Sequence, residues 1–149
     1  MAFLIDSSVL GRLANAGDAR HALAVAAVLE LHRQGETIHL TSQVLIEFRN
    51  FATRPVIVNG LGASAGEAEA HSRAFEARFP LLDETSAIYP AWKSLVEGLG
   101  VIGKQVHDAR LVAVCHVHSV THLLTFNTAH FNRLAAFAPG VAVVDPASV

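Results

Sequence analysis

Four strand-length segments, Ala2–Asp6, Thr37–Thr41, Thr121–Phe126 and Val141–Val144, are separated by stretches of helical length and pattern. This alternation constrains the chain more than any other feature. Parallel strands need a crossover, usually a helix, and the helices then cover both faces of the sheet. The expected fold class is therefore α/β, a three-layer α/β/α sandwich with a mostly parallel sheet. Ligands of such folds bind at the carboxyl ends of the strands. The composition agrees, with 52% hydrophobic residues, mostly Ala, Val and Leu, and only 7% aromatic, which suits thin helices packed closely on a sheet. At 149 residues the chain has the size of one domain, 1–149.

Between the strands, helices are expected over Ser8–Asn15, Asp18–Arg33, Gln43–Thr53 with Ser42 as its cap, Glu67–Phe79, Ser86–Leu99 and Lys104–His118. Asn127–Leu134 reads as a turn and short helix, Val56–Gly66 as a loop, and Leu81-Leu82 as a short strand. No apolar run is long enough to span a bilayer, and Met1–Asp6 lacks the basic start of a signal peptide. One cysteine, Cys115, excludes an internal disulfide and a cysteine-rich zinc module. A reducing, cytoplasmic setting is expected. The formal charge of −2 excludes a strong chain-wide field for nucleic acid but not a local arginine strip.

Three acids stand out. Asp6 ends a wholly apolar strand and precedes a helix, where it could be a helix cap or a ligand at the sheet edge. Glu47 lies within Leu45-Ile46-Glu47-Phe48, on the helix after the second strand, as a solvated position or within reach of the same edge. Asp108 opens the apolar run Ala109–Val114; the helix dipole favours an acid there, and Lys104 could pair with it. Three carboxylates brought together would repel unless a divalent cation neutralised them. Oxygen ligands without cysteine or a close histidine pair point to Mg²⁺ or Mn²⁺. A haloacid-dehalogenase-type phosphatase would need an acid where Ser8 stands, and neither a P-loop nor a nucleophile elbow is present.

Four segments carry a resemblance. Phe3-Leu4-Ile5-Asp6-Ser7-Ser8 resembles the opening of PIN-domain ribonucleases, and Leu40–Phe48 resembles their second motif, with Glu47 at the acidic position. His107-Asp108-Ala109 resembles the third, and Leu123–Phe131 the fourth. Within that family the chain is most similar to VapC-type toxins of bacterial toxin–antitoxin systems. The resemblance implies a PIN-like fold, a Mg²⁺-dependent endoribonuclease acting on RNA, a cognate antitoxin that blocks it, and a homodimer. It places Asp6, Glu47 and Asp108 as metal ligands and, with Asn127, as catalytic residues, leaving 5′-phosphate and 3′-hydroxyl ends. Where many members carry a fourth acid before the Phe, this chain has His130. Asn127 could supply an oxygen there with Thr125 orienting it, while His130 could contact phosphate or be a plain rim histidine. Arg49 and Arg110 are candidate phosphate contacts, and Arg12 and Arg133 would share their rim. The dimer seam is expected over Glu67–Leu99, filled by Phe75, Phe79, Tyr89 and Trp92. The competing reading is a non-catalytic PIN-like module that binds RNA or protein.

Overall fold

In the computed structural model, which describes residues 1–149, four parallel strands form one sheet in the order β2-β1-β3-β4. These are β1 (Ala2–Ile5), β2 (Thr37–His39), β3 (His122–Leu124) and β4 (Ala142–Val144). Phe3 stands opposite Ile38 on one side and His122 on the other, and His122 in turn opposite Ala142. The helices are α1 (Ser7–Ala14), α2 (His21–Arg33), α3 (Ser42–Thr53), α4 (Ala65–Arg78), α5 (Ile88–Leu99), α6 (Gln105–Val117) and α7 (Thr128–Ala135). The chain leaves β1 for β2 through α1 and α2, then returns through four helices to the opposite side of β1 to form β3. The strand order therefore reverses at β1, and the crevice outside the β1 and β3 carboxyl ends is the switch point of the sheet.

The core explains why these segments fold this way. β1 and β3 are central, so Leu4, Ile5, Leu123 and Leu124 are wholly buried between helical layers. Val9, Leu10, Val44, Phe48, Leu111 and Val112 pack on them from α1, α3 and α6 within one cluster of 28 buried residues. Each fully buried Leu or Phe contributes about 1.5–3 kcal/mol of transfer free energy. No helix is long and apolar enough to cross a membrane.

Element boundaries differ from the sequence reading where a side chain captures a backbone group. Thr41, not Ser42, caps α3, its hydroxyl accepting from the Val44 N–H at 3.2 Å, and Ser42 donates instead to Glu84. Ser64 and Glu67 form a reciprocal capping box, so α4 starts inside the expected loop. The Asp18 carboxylate accepts from the Arg20 N–H at 2.8 Å, which holds a turn and delays α2 to His21. A 3₁₀ turn at Val56–Val58 interrupts the same loop. Leu81 makes a single parallel bridge to Leu40 rather than a strand.

The aromatic seam also needs correction. Phe75 (8% exposed) and Phe79 (2%) belong to the core, Phe75 meeting Phe48 edge-on at 5.1 Å. Trp92 donates its indole N–H to the Val106 carbonyl at 2.8 Å and so fastens α5 to α6. Of the four, only Tyr89 stands well exposed, at 64%.

Candidate active site at the carboxyl edge of the sheet

Asp6 is the first residue beyond β1 and is 4% exposed. It occupies the N-cap position of α1, yet its carboxylate makes no capping bond. The cap reading of Asp6 therefore fails, and the carboxylate is committed elsewhere. Oδ2 accepts from the Thr125 hydroxyl at 2.8 Å, across the gap between the first residues after β1 and β3. The Asp6 N–H donates to the Leu124 carbonyl at 3.0 Å, which fixes the backbone of one strand end against the other.

Thr125 is fully buried, and its hydroxyl does more than hold Asp6. It accepts from the Asn127 N–H at 3.0 Å and lies 3.3 Å from the Ser8 hydroxyl. Ser8 in turn accepts from the Phe126 N–H at 3.2 Å. The two serines after Asp6 thus divide their work. Ser8 ties α1 to the loop after β3, and Ser7 faces the acids. The Ser7 Oγ lies 3.0 Å from Glu47 Oε2 and 3.3 Å from Asp6 Oδ1. A hydroxyl has one proton. It serves the nearer Glu47, leaving Asp6 Oδ1 with the weaker contact.

Glu47 is held from its other side by Gln43, one turn earlier on α3, whose Nε2 donates to Oε1 at 2.8 Å. The same amide donates to the His107 carbonyl at 2.8 Å, and its oxygen accepts from Arg110 Nη1 at 3.1 Å. Gln43 therefore stitches α3 to the start of α6, which carries Asp108. Asp108 is half-buried, and its carboxyl is pushed up to about 6. Burial is the main cause, followed by the negative charge of Asp6, with a further contribution from Glu47; His130 and His107 oppose it. The His130 Nδ1 lies 3.8 Å from Asp108 Oδ2, and no ion pair joins Lys104 to this acid.

The three acids thus reach one edge from α1, α3 and α6, linked by Ser7 and Gln43 and sensed electrostatically by Asp108. The arrangement is open: no three acids or histidines stand close enough to enclose an ion as placed. The donor set is made of hard oxygens, and its mutual repulsion is what a small divalent cation relieves. On donor chemistry the residues fit Mg²⁺ or Mn²⁺.

The arginines do not follow expectation. Arg49 pairs with Glu69 of α4 and lines a separate cleft with Leu45 and Glu76. Two residues apart on a helix, Glu47 and Arg49 point to different faces, so only one of them can serve this edge. Arg110 is engaged by Gln43 and by Glu84, the latter at 2.5 Å. Arg133 binds the Leu99 carbonyl at the end of α5, away from Arg12, which donates to the Ser8 carbonyl at 2.9 Å. Sequence reasoning missed Gln43 as a link between the acids. Its one visible signal was the i,i+4 spacing to Glu47.

No curated protein sequence matches the chain. Solved structures of similar fold include VapBC2 from Rickettsia felis, bound to a DNA fragment from its promoter. That likeness has a TM-score of 0.67 at 18% identity, covering 97% of this chain and 98% of the other. VapBC-1 from nontypeable Haemophilus influenzae gives 0.65 at 15% identity over 98% of each chain. The Mycobacterium tuberculosis sarcin-ricin-loop-cleaving toxin VapC20 gives 0.60 at 20% identity, covering 88% of this chain and 94% of that toxin. The PIN-domain family profile matches residues 3–136, which span three of the four strands and all seven helices. The chain belongs to the PIN-domain family.

Proposed function

We propose that this protein is a Mg²⁺-dependent endoribonuclease, the toxin of a toxin–antitoxin pair. One observation carries the reading: a buried Asp6 carboxylate at the switch point, unused as a cap, is held by Thr125 beside Glu47 and Asp108. Structural metal-free roles do not ask for three acids at one sheet edge. The likeness in fold to VapBC and to FitAB structures supports the toxin assignment and an antitoxin partner.

Asp6, Glu47 and Asp108 would hold the cation, with Asn127 beside them. When bound, the ion supplies charge neutralisation at the scissile phosphate and activation of water. Thr125 keeps Asp6 in place, and Ser7 with Gln43 sets the rotamer of Glu47. Water adds to phosphorus as the bond to the 3′ oxygen breaks, leaving 3′-hydroxyl and 5′-phosphate ends. His130, on the rim with its Nδ1 3.8 Å from Asp108 Oδ2, would meet the RNA backbone. A homodimer remains part of the proposal, its seam now resting on exposed Tyr89 and its neighbour Trp92, whose rings lie 5.6 Å apart.

The test is cleavage of single-stranded RNA by the purified chain with Mg²⁺, with EDTA, and in the Asp6→Asn variant. Fragments with 5′-phosphate ends, formed only by the wild type with metal, are expected. The histidine in the fourth acidic position favours a second reading, a PIN-like module that binds without cutting. That reading wins if RNA binds and no fragment appears under any divalent ion.

A further inference from the structure

Beside the acidic edge lies a cleft of about 340 Å³ whose lining includes Ser7, Gly11, Arg12, Phe51, Arg54 and Asn127. Ser7 is common to both sites, since its hydroxyl contacts Glu47 and Asp6. The cleft is set apart by cations that rest on aromatic rings. Arg33, Arg49, Arg73 and Arg110 each pair with a glutamate. Arg12, Arg20 and Arg54 pair with no carboxylate and are held on aromatic rings instead. The Arg12 and Arg20 guanidiniums each lie 5.3 Å from the Phe126 ring centre, and Arg54 lies 5.8 Å from that of Phe51. Two like charges on one ring repel, and Arg12 Nε is buried without any acceptor. An enclosed N–H left without an acceptor is costly. The positive charge is local, because the chain as a whole carries −2.

Arg12 gives one N–H to the Ser8 carbonyl and Arg54 one to the Asn59 carbonyl, which leaves each guanidinium further N–H groups for phosphate, and an aromatic beside it offers a stacking surface to a base. Gly11 makes room for that surface: a Cβ there would come within 2.9 Å of Phe51 Cε1, so only glycine lets the ring lie against α1. We infer that this cleft seats one nucleotide of the RNA strand next to the cut, its phosphate on Arg12 and Arg54 and its base against Phe51. The inference rests on the ribonuclease reading and adds to it where the strand runs. Neither arginine belongs to the acidic set, and neither was distinguished from solubility arginines by sequence.

The experiment measures anisotropy of a short fluorescein-labelled single-stranded RNA with the full-length protein in EDTA, across a salt series. Arg12→Gln and Arg54→Gln should each weaken binding about fivefold to tenfold and lower the log–log salt slope by about 0.7. Phe51→Leu keeps apolar volume but removes the π-face. It should weaken binding about fivefold or more with the slope unchanged. Arg73→Gln, on α4 and paired with Glu69, should match the wild type. Thermal melts of all variants check folding. Wild-type affinity and slope in both arginine variants would overturn the inference while leaving Mg²⁺-dependent cutting intact. The same result with loss only of binding to a partner protein would assign the cleft to that partner and overturn it equally. A wild-type chain that neither binds nor cuts RNA would remove the ribonuclease reading itself.

Discussion

The Thr125 hydroxyl donates to Asp6 Oδ2 at 2.8 Å, although the two residues are 119 positions apart in the chain. The bond joins the ends of the two central strands and orients the most buried acid of the site. Thr125→Val keeps shape and removes the hydroxyl, leaving Asp6 Oδ2 and the Asn127 N–H without their partner. It should cost about 1–3 kcal/mol of stability and lower RNA cleavage at least tenfold. Urea melts and initial cleavage rates measure the two effects; wild-type values for both would refute the positioning role.

Asp108 supplies a pH dependence. Its carboxyl is raised to about 6 in the folded, metal-free protein, against about 4 when unfolded. Between these values the native state binds more protons than the unfolded state, so stability falls as pH rises through the window and stays lower above it. Because solvent still reaches this side chain, the effect is on the order of 1 kcal/mol. Asp108→Asn should therefore melt about 3 °C higher than wild type at pH 7 without metal, and no higher than wild type at pH 4. The same substitution should abolish cleavage. A variant that melts lower at neutral pH would contradict the repulsion described above.

Metal should reverse that penalty. Added Mg²⁺ or Mn²⁺ should raise the melting temperature of the wild type, by about 2.7 kcal/mol of stabilisation at a hundredfold excess over Kd. Asp6→Asn should lose most of this response together with cleavage. Equal thermal shifts in the two proteins would place the ion elsewhere.

Gln43 is the shared support of Glu47 and α6. Gln43→Ala removes three hydrogen bonds, to Glu47, His107 and Arg110. At this half-exposed position the loss should be about 1–2 kcal/mol, with cleavage reduced about tenfold. An activity unchanged at saturating Mg²⁺ would show that Ser7 alone orients Glu47.

Light scattering tests the assembly. A homodimer through the Tyr89 and Trp92 region should scatter at twice the monomer mass of 15.9 kDa and fall apart on Tyr89→Lys. A mass of one chain at micromolar concentration would remove the dimer from the proposal.

The layered fold was legible because strand-length apolar segments alternate with helices, and that information is local. Asp6 could be singled out for a similar reason: a charge that ends a fully apolar strand has few places to go. The misjudged residues depend on partners distant in sequence. Ser42 reads as the cap of α3, but Glu84 claims its hydroxyl and Thr41 caps the helix instead. Arg49 lay two residues from Glu47, and Glu69 holds it on another face. Phe75 and Phe79 fitted an exposed seam by composition, while Phe48 draws Phe75 into the core. Arg12 could be placed on the rim from sequence, but what holds Arg12 and Arg54 is recognised only once Phe126 and Phe51 are in place beside them.

The bond from Thr125 to Asp6 also has a temporal side. A ribosome releases β1 long before residue 125 leaves the exit tunnel, so Asp6 is without its Thr125 donor for most of synthesis. Only when β3 slots in beside β1 does the buried carboxylate find that hydroxyl. The acidic edge is thus completed late in synthesis, because Thr125 stands 119 positions after Asp6 in the chain.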